Sequence, residues 1–117
     1  MNSATEIVQG VVNYKFKIML SSLAKAPAIY VGKANIETAL HFLNGYGVGL
    51  EHVGLISPLA GWGRWVEKIY ETSDPSMSWA AILRSKHGND KAALQALPEL
   101  YERFCTERGA AHGQETS

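Results

Sequence analysis

The chain lacks the features that mark several common protein classes. Cys105 is its only cysteine, so no disulfide can form within one chain, and we expect a reducing compartment, the cytoplasm. No apolar run approaches the ~20 residues that a membrane-spanning helix needs. The first residues also lack the basic start and the unbroken apolar stretch of a signal peptide. These absences predict a cytoplasmic protein with no membrane partner.

The chain also lacks a net charge of either sign. Its 11 lysines and arginines balance 11 aspartates and glutamates. Nucleic-acid-binding proteins usually present a basic patch to phosphates, and so we expect no nucleic-acid partner. A length of 117 residues, 46% of them hydrophobic, predicts a single globular domain over 1–117. We expect an ordered core at about 4–109 and a flexible tail at 110–117.

The first segment has two interpretations. Residues 12–18 alternate between apolar and polar side chains, as a half-buried strand would. A second set of apolar residues instead follows helical spacing: Ile7, Val11, Tyr14 and Ile18. No other run alternates so clearly, and an unpaired strand would leave its backbone groups unsatisfied. A helix is therefore favoured, and it should end before Pro27 because proline disfavours helical geometry in the preceding residue.

The next segment contains a predicted loop and a predicted helix. Residues 27–33 are interpreted as an ordered loop in which Gly32 supplies the bend. Asn35 is a good N-cap for the helix that follows. This helix either continues to about Leu50, with its glycines allowing a neighbour to approach closely, or stops near Gly45. We favour the longer helix.

Apolar spacing and cap residues predict three helices in the second half of the chain. Their expected limits are 59–72, Ser76 or Ser78 to Gly88, and Asn89 to Gly109. Pro98 lies inside the last of them and should bend it. The predicted fold is all-α, with about five short helices in one irregular orthogonal bundle.

No catalytic or metal-binding pattern is recognisable. The glycines at 45, 47 and 49 do not form the dinucleotide fingerprint, because position 50 is leucine and the glycines follow a helix. Glu37 and His41 lie one helical turn apart, but no third metal ligand is obvious. Cys105 has no histidine at helical spacing. We therefore expect no enzymatic activity, no metal and no cofactor.

Large aromatic rings are the remaining candidates for contact with a ligand or partner. The candidate residues are Tyr30, Tyr46, Trp62 and Trp65. Each ring could instead belong to the core, since buried tryptophan and tyrosine contribute large apolar areas. Trp62 lies between Gly61 and Gly63, which would leave it unshielded, and it is the ring that we expect to be partly exposed.

Several segments, in this order and spacing, resemble a family of small bacterial proteins of uncharacterised function. They are APAIYVG at 26–32, FLNGY at 42–46, WV at 65–66 and SWAAIL at 78–83. The family is similar to products of mobile, integron-type gene cassettes and to immunity proteins encoded near polymorphic toxins. The resemblance covers about 13–106 and implies an all-α fold without known catalytic activity. Ala26 and Ile29 stand where the family pattern has Arg and Met.

The sequence leads to two main hypotheses. The first is a non-enzymatic, immunity-like cytoplasmic protein that binds a protein partner, a toxin by the resemblance. The alternative is an accessory protein that binds a small molecule, in a pocket lined by the four aromatic candidates, or associates with itself as a homodimer. A third hypothesis is an enzyme whose site is assembled from residues distant in sequence, which a motif search would miss.

Overall fold

The computed structural model describes the backbone of residues 3–72, 74 and 76–116. It describes the side chains of residues 4–72, 74 and 76–108. Within that part of the chain there are six α-helices and no β-strand. They are α1 (Ser3–Lys25), α2 (Pro27–Val31), α3 (Ile36–His52), α4 (Trp62–Ile69), α5 (Trp79–His87) and α6 (Asp90–Thr116). The predicted all-α fold is confirmed.

The first segment is helical, as favoured, and forms α1. One face of α1 enters the core through Phe16, Leu20 and Leu23, whose exposed fractions are 1%, 2% and 0%. These positions follow the spacing of three and four residues that aligns side chains on one side of a helix. This face packs mainly against α6, which also contacts α3 and α5. The longest helix therefore organises the core.

The segment predicted as a loop contains the short helix α2, so that prediction was wrong. Pro27 is the first residue of the helix, a position where its fixed φ suits the helix and its missing N–H is not needed. The predicted bend at Gly32 is confirmed. Gly32 has a φ of +80° and donates its N–H to the carbonyl of Ala28, which ends the helix.

The longer alternative for α3 is confirmed, since the helix continues to His52. The Asn35 side chain caps it by accepting a hydrogen bond of 2.9 Å from the N–H of Thr38. Only one of the three glycines in α3 allows a close approach. A Cβ at Gly47 would lie 3.1 Å from Ser57 Cβ and closer still to its Oγ, whereas one at position 45 or 49 would meet nothing within 4 Å.

The helix predicted at 59–72 is shorter at both ends. Residues 58–61 form a turn, and Gly61 has a φ of +83°, which interrupts any helix that would begin earlier. Helix α4 therefore starts at Trp62. Its C-terminal end is marked by Tyr70, and Glu71 then takes a left-handed φ of +52°.

The caps predicted for α5 are confirmed at both ends. Ser78, one of the two candidates, accepts a hydrogen bond of 3.1 Å from the N–H of Ala81. Gly88 ends the helix by donating its N–H to the carbonyl of Arg84. The cap interactions of α5 therefore agree with those inferred from the sequence.

Helix α6 begins as predicted but ends later. Asn89 accepts a hydrogen bond of 2.8 Å from the N–H of Ala92, and Pro98 lies inside the helix. Gly109 does not end it, because the backbone stays helical to Thr116. A glycine in a helix costs only about 1 kcal/mol relative to alanine, so it weakens a helix without having to stop it. The flexible tail predicted at 110–117 stays a prediction, because the side chains of these residues lie outside the described part of the chain.

Candidate functional site

Trp62 lies in the core, so the expectation that it would be partly exposed was wrong. Its exposed fraction is 1%. The rings of Trp65, Trp79 and Phe104 surround it at centroid distances of 5.4, 5.8 and 5.5 Å. The flanking glycines did not decide its exposure, because position 62 shares the buried face of α4 with Val66. Its Nε1 is buried without a hydrogen-bond partner among the described atoms.

Trp65 stacks on Trp62 and reaches the surface. Its Nε1 donates a hydrogen bond of 3.1 Å to Glu107 Oε2. The guanidinium of Arg103 lies 5.7 Å from the centre of the Trp65 ring, within range of a cation–π interaction. Trp65 therefore joins α4 to α6, and of the four predicted candidates only these two tryptophans stack on each other.

The two predicted tyrosines contact other rings. Tyr46 is half-buried, with its ring centre 5.5 Å from that of Phe16. Tyr30 is 37% exposed and lies 6.1 Å from Phe42, again between ring centres. Each tyrosine is thus paired with a phenylalanine of the fold, and none of the four candidates lines the two grooves described below.

A second apolar face of α1 is exposed. We call it the α1 outer stripe. It consists of Ile7, Val11, Tyr14 and Ile18, with exposed fractions of 67%, 49%, 67% and 51%. The buried Phe16 is nine residues from Ile7, which places it about half a turn around the helix, on the opposite side. The sequence pattern that predicted the helix therefore belongs to its solvent face.

The apolar surface extends beyond the stripe to the α3–α4 loop. Val8 is 48% exposed and Val53 is 72% exposed. Both line a shallow groove of about 540 Å³ beside the first turns of α1. Contiguous exposed apolar surface of this kind is typical of protein interaction sites, whereas single exposed apolar residues are ordinary.

Basic residues border the stripe on both sides. At 100° per residue, Lys15 and Lys17 lie on opposite flanks of it. Lys17 Nζ forms an ion pair of 3.2 Å with Glu102 of α6. Gly10 lies on the Lys17 side, and a Cβ there would meet nothing within 4 Å. The stripe is therefore an apolar strip with a lysine on each flank and one open position.

A groove of about 520 Å³ lies between α1, the α3–α4 loop and α6. We call it the Arg108 groove. Its lining residues are Gln9, Asn13, Ile56, Ser57, Pro58, Ala60, Cys105 and Arg108. The Gln9 amide holds the loop on α1, because it accepts a bond of 2.8 Å from the Ile56 N–H and donates one of 2.9 Å to the Ile56 carbonyl. Sequence patterns gave no sign of this contact.

The charged group of the groove is held in place by a ring and a thiol. The Arg108 guanidinium lies 4.7 Å from the centre of the Phe104 ring, and its Nη2 is 4.0 Å from Cys105 Sγ. Among the side chains of 4–108, no carboxylate pairs with Arg108. Behind the thiol, Tyr101 donates a hydrogen bond of 2.9 Å to the Pro58 carbonyl. Burial, and then hydrogen bonding to Cys105, raise the pKa of Tyr101 well above its ordinary value of 10.0.

This arrangement can hold an anion, and among the described side chains no histidine or carboxylate is hydrogen-bonded to Cys105 Sγ. A reactive thiol needs an adjacent base or a strong electropositive environment. The neighbours of Cys105 are a tyrosine that stays protonated and a guanidinium at the limit of contact. His87, the last residue of α5, shares a hydrogen bond of 2.9 Å with the Tyr70 hydroxyl.

Comparisons with protein-family models, with curated proteins and with solved structures found no match. No group of three or more histidine, cysteine, aspartate or glutamate side chains in the described part of the chain could hold a metal ion. None of the helices, as far as they are described, has the length and apolarity to cross a membrane. The α1 outer stripe and the Arg108 groove are therefore the candidate binding sites.

Proposed function

We propose that the chain is a non-enzymatic protein-binding protein, cytoplasmic in location, whose contact surface is the α1 outer stripe. The observation that carries this proposal is the exposure of four large apolar side chains in a row on one helix face, each between 49% and 67% exposed. Leaving such side chains in water forgoes roughly 1.5 kcal/mol for each one that a partner could bury. A helix with one face in the core and an equally apolar face outside has the form expected of a binding helix.

Two kinds of partner are candidates for this surface. The resemblance of about 13–106 to immunity-type proteins supports a toxin-like protein, which the chain would block by occupying its surface. The regular spacing of the stripe supports a second copy of the chain. In both cases the apolar side chains would supply the buried centre of the interface, and the flanking lysines would lie at its polar rim.

Site-specific photo-crosslinking in the source cell tests the proposal. A photoreactive residue in place of Tyr14 should yield covalent adducts with protein, identified by mass spectrometry. The same residue in place of Ser85, which is exposed on α5, is the matched control and should yield few. Equal yields at the two positions, or no adduct at position 14, would contradict a binding role for the stripe.

The Arg108 groove favours a second candidate function, the binding of a small molecule with an apolar body and a carboxylate. Its volume of about 520 Å³ lies within the usual range for ligand sites, ~300–1,000 Å³. An arginine without a carboxylate partner among the described side chains could bind that group. Octanoate should then shift the backbone NMR signals of Ile56 and Arg108 more than octanol does, and Arg108→Gln should remove the difference. Identical shifts with both compounds would exclude this function.

A further inference from the structure

We propose that the occupant of the α1 outer stripe is the same stripe of a second copy of the chain, in an antiparallel contact between the two α1 helices. This inference rests on the proposed function, because it names the partner for that surface. The four stripe residues are separated by four, three and four positions along α1. That alternation is the heptad spacing by which two helices keep one seam in contact.

The stripe is complementary to itself when the helices run in opposite directions. A two-fold axis between positions 12 and 13 places Ile7 opposite Ile18 of the second copy, and Val11 opposite Tyr14. All four layers are then apolar, and the smaller valine meets the larger tyrosine. A two-fold interface uses the same patch on both subunits, and this patch meets that requirement without a polar mismatch.

Lys25 favours the antiparallel arrangement over the parallel one. It lies seven residues beyond Ile18, so it continues the line of the stripe at the end of α1. A parallel pair in register would bring two copies of Lys25 together, and like charges at one level destabilise a contact. In the antiparallel pair Lys25 lies about three residues beyond the level of Ser3 of the other copy, so the two copies of Lys25 are far apart.

The flanks of the stripe also fit a second copy. In the antiparallel pair, Lys15 lies beside Val8 of the other copy, and Lys17 beside its Gly10. The methylene stem of a lysine can cover an apolar side chain while its charge stays in water. Glycine is unfavourable within a helix, and nothing in the described structure uses the open space at Gly10. A neighbouring helix would use that space.

The available area is enough for a weak dimer. The exposed parts of the stripe and Val8 amount to roughly 400 Å² of apolar surface per copy, from typical side-chain areas. Since about 60% of an interface is apolar, the contact would bury on the order of 650 Å² per copy. The sum for two copies exceeds the ~1,000 Å² expected of a specific interface but stays at the lower end. We therefore expect a dissociation constant on the order of 10–100 µM.

Sedimentation equilibrium of the purified full chain is the test, over about 5 µM to 1 mM, a range that spans this constant. The chain should change from monomer to dimer across that range. Val11→Ser should weaken the dimer roughly 30-fold, because each dimer loses two buried valines. Val48→Ser is the matched control, since Val48 is 50% exposed and Val11 49%, but Val48 lies on α3. It should leave the constant unchanged.

Thiol crosslinking tests the direction of the helices in a Cys105→Ser background. A mixture of Ile7→Cys and Ile18→Cys chains should crosslink rapidly with a short bifunctional reagent. Ile7→Cys alone should not, because the two copies of position 7 would lie roughly 16 Å apart along the antiparallel pair. Rapid crosslinking of Ile7→Cys with itself would overturn the antiparallel arrangement.

Other results separate this inference from the proposed function. A chain that stays monomeric to 1 mM overturns the self-pairing; if position 14 still forms photo-adducts with a different protein, the protein-binding function stands. Vesicles of phosphatidylcholine and phosphatidylglycerol provide the second comparison. If the chain stays monomeric but binds these vesicles, and if Val11→Ser abolishes that binding, the result would overturn self-pairing in favour of a lipid surface.

Discussion

Replacing Gly47 by alanine should destabilise the protein relative to the same change at Gly45. Alanine is better than glycine in a helix by about 1 kcal/mol, and both positions lie in α3, so both variants share this gain. At position 45 nothing lies within 4 Å of the new Cβ. At position 47 the Cβ would lie 3.1 Å from Ser57 Cβ and in conflict with its Oγ.

The loss of stability at position 47 comes from contacts that Ser57 must break. Its Oγ accepts a hydrogen bond of 3.2 Å from the N–H of Leu59, and rotation away from the new methyl group breaks that bond, at about 1 kcal/mol. The Cβ contact then requires the loop to shift by a few tenths of an ångström, which adds a packing cost of about 1 kcal/mol. Gly47→Ala should therefore be less stable than Gly45→Ala by about 1–3 kcal/mol.

Urea unfolding monitored by circular dichroism measures this difference directly. Ser57→Gly removes both the Oγ and the Cβ, so adding it to Gly47→Ala should recover most of the loss in a double-mutant cycle. The reasoning would be refuted by equal stabilities of the two alanine variants. It would equally be refuted by a coupling energy near zero between positions 47 and 57.

Three further predictions concern the core, the groove and the pH dependence of stability. Folding raises the pKa of Tyr101, so the contribution of this residue to stability should be complete below pH 10.0 and should be lost as the pH rises further. Urea unfolding at about pH 8 and pH 11 should therefore show that Tyr101→Phe loses less stability at the higher pH than the parent protein does. An unchanged loss would contradict this. Gln9→Ala should lower the free energy of unfolding by about 1 kcal/mol and should speed hydrogen exchange at the Ile56 N–H. Unchanged exchange would show that the Gln9 amide does not hold the loop. Leu20→Ala should lower the free energy of unfolding by about 2–5 kcal/mol, because the Leu20 side chain is 2% exposed. Ile18→Ala should lower it by less than about 1 kcal/mol in dilute, monomeric protein. Equal losses in urea unfolding would contradict the assignment of one buried and one exposed apolar face to α1.

Local rules predicted most of the helical architecture. Asn35, Ser78 and Asn89 each cap a helix as expected, because a cap depends only on the residue and on a backbone N–H three positions later. Gly32 and Gly88 end helices for a similarly local reason. The prediction failed at 27–31 because a five-residue helix has too few positions to show a hydrophobic period.

The site could not be predicted to the same extent, because its features depend on contacts far apart in the sequence. Gln9 and Ile56 are separated by 47 positions, and no motif links them. Trp62 was expected at the surface from its glycine neighbours, but rings from α4, α5 and α6 enclose it. The helical spacing of 7, 11, 14 and 18 predicted α1 correctly, yet the period of an interface is the same as that of a core face. Only the structure could show that Phe16, on the opposite side, is the buried position.

In the proposed dimer, two copies of the chain meet at the α1 outer stripe. Backbone NMR spectra of the protein, compared between dilute and concentrated samples, test this most directly. Self-pairing should produce concentration-dependent shifts at 7–18 and at the neighbouring Val53. The signals around Val48 and Ile29 should not change, although both side chains are exposed. Shifts centred on Val48 or Ile29, or no shifts at any concentration, would contradict it.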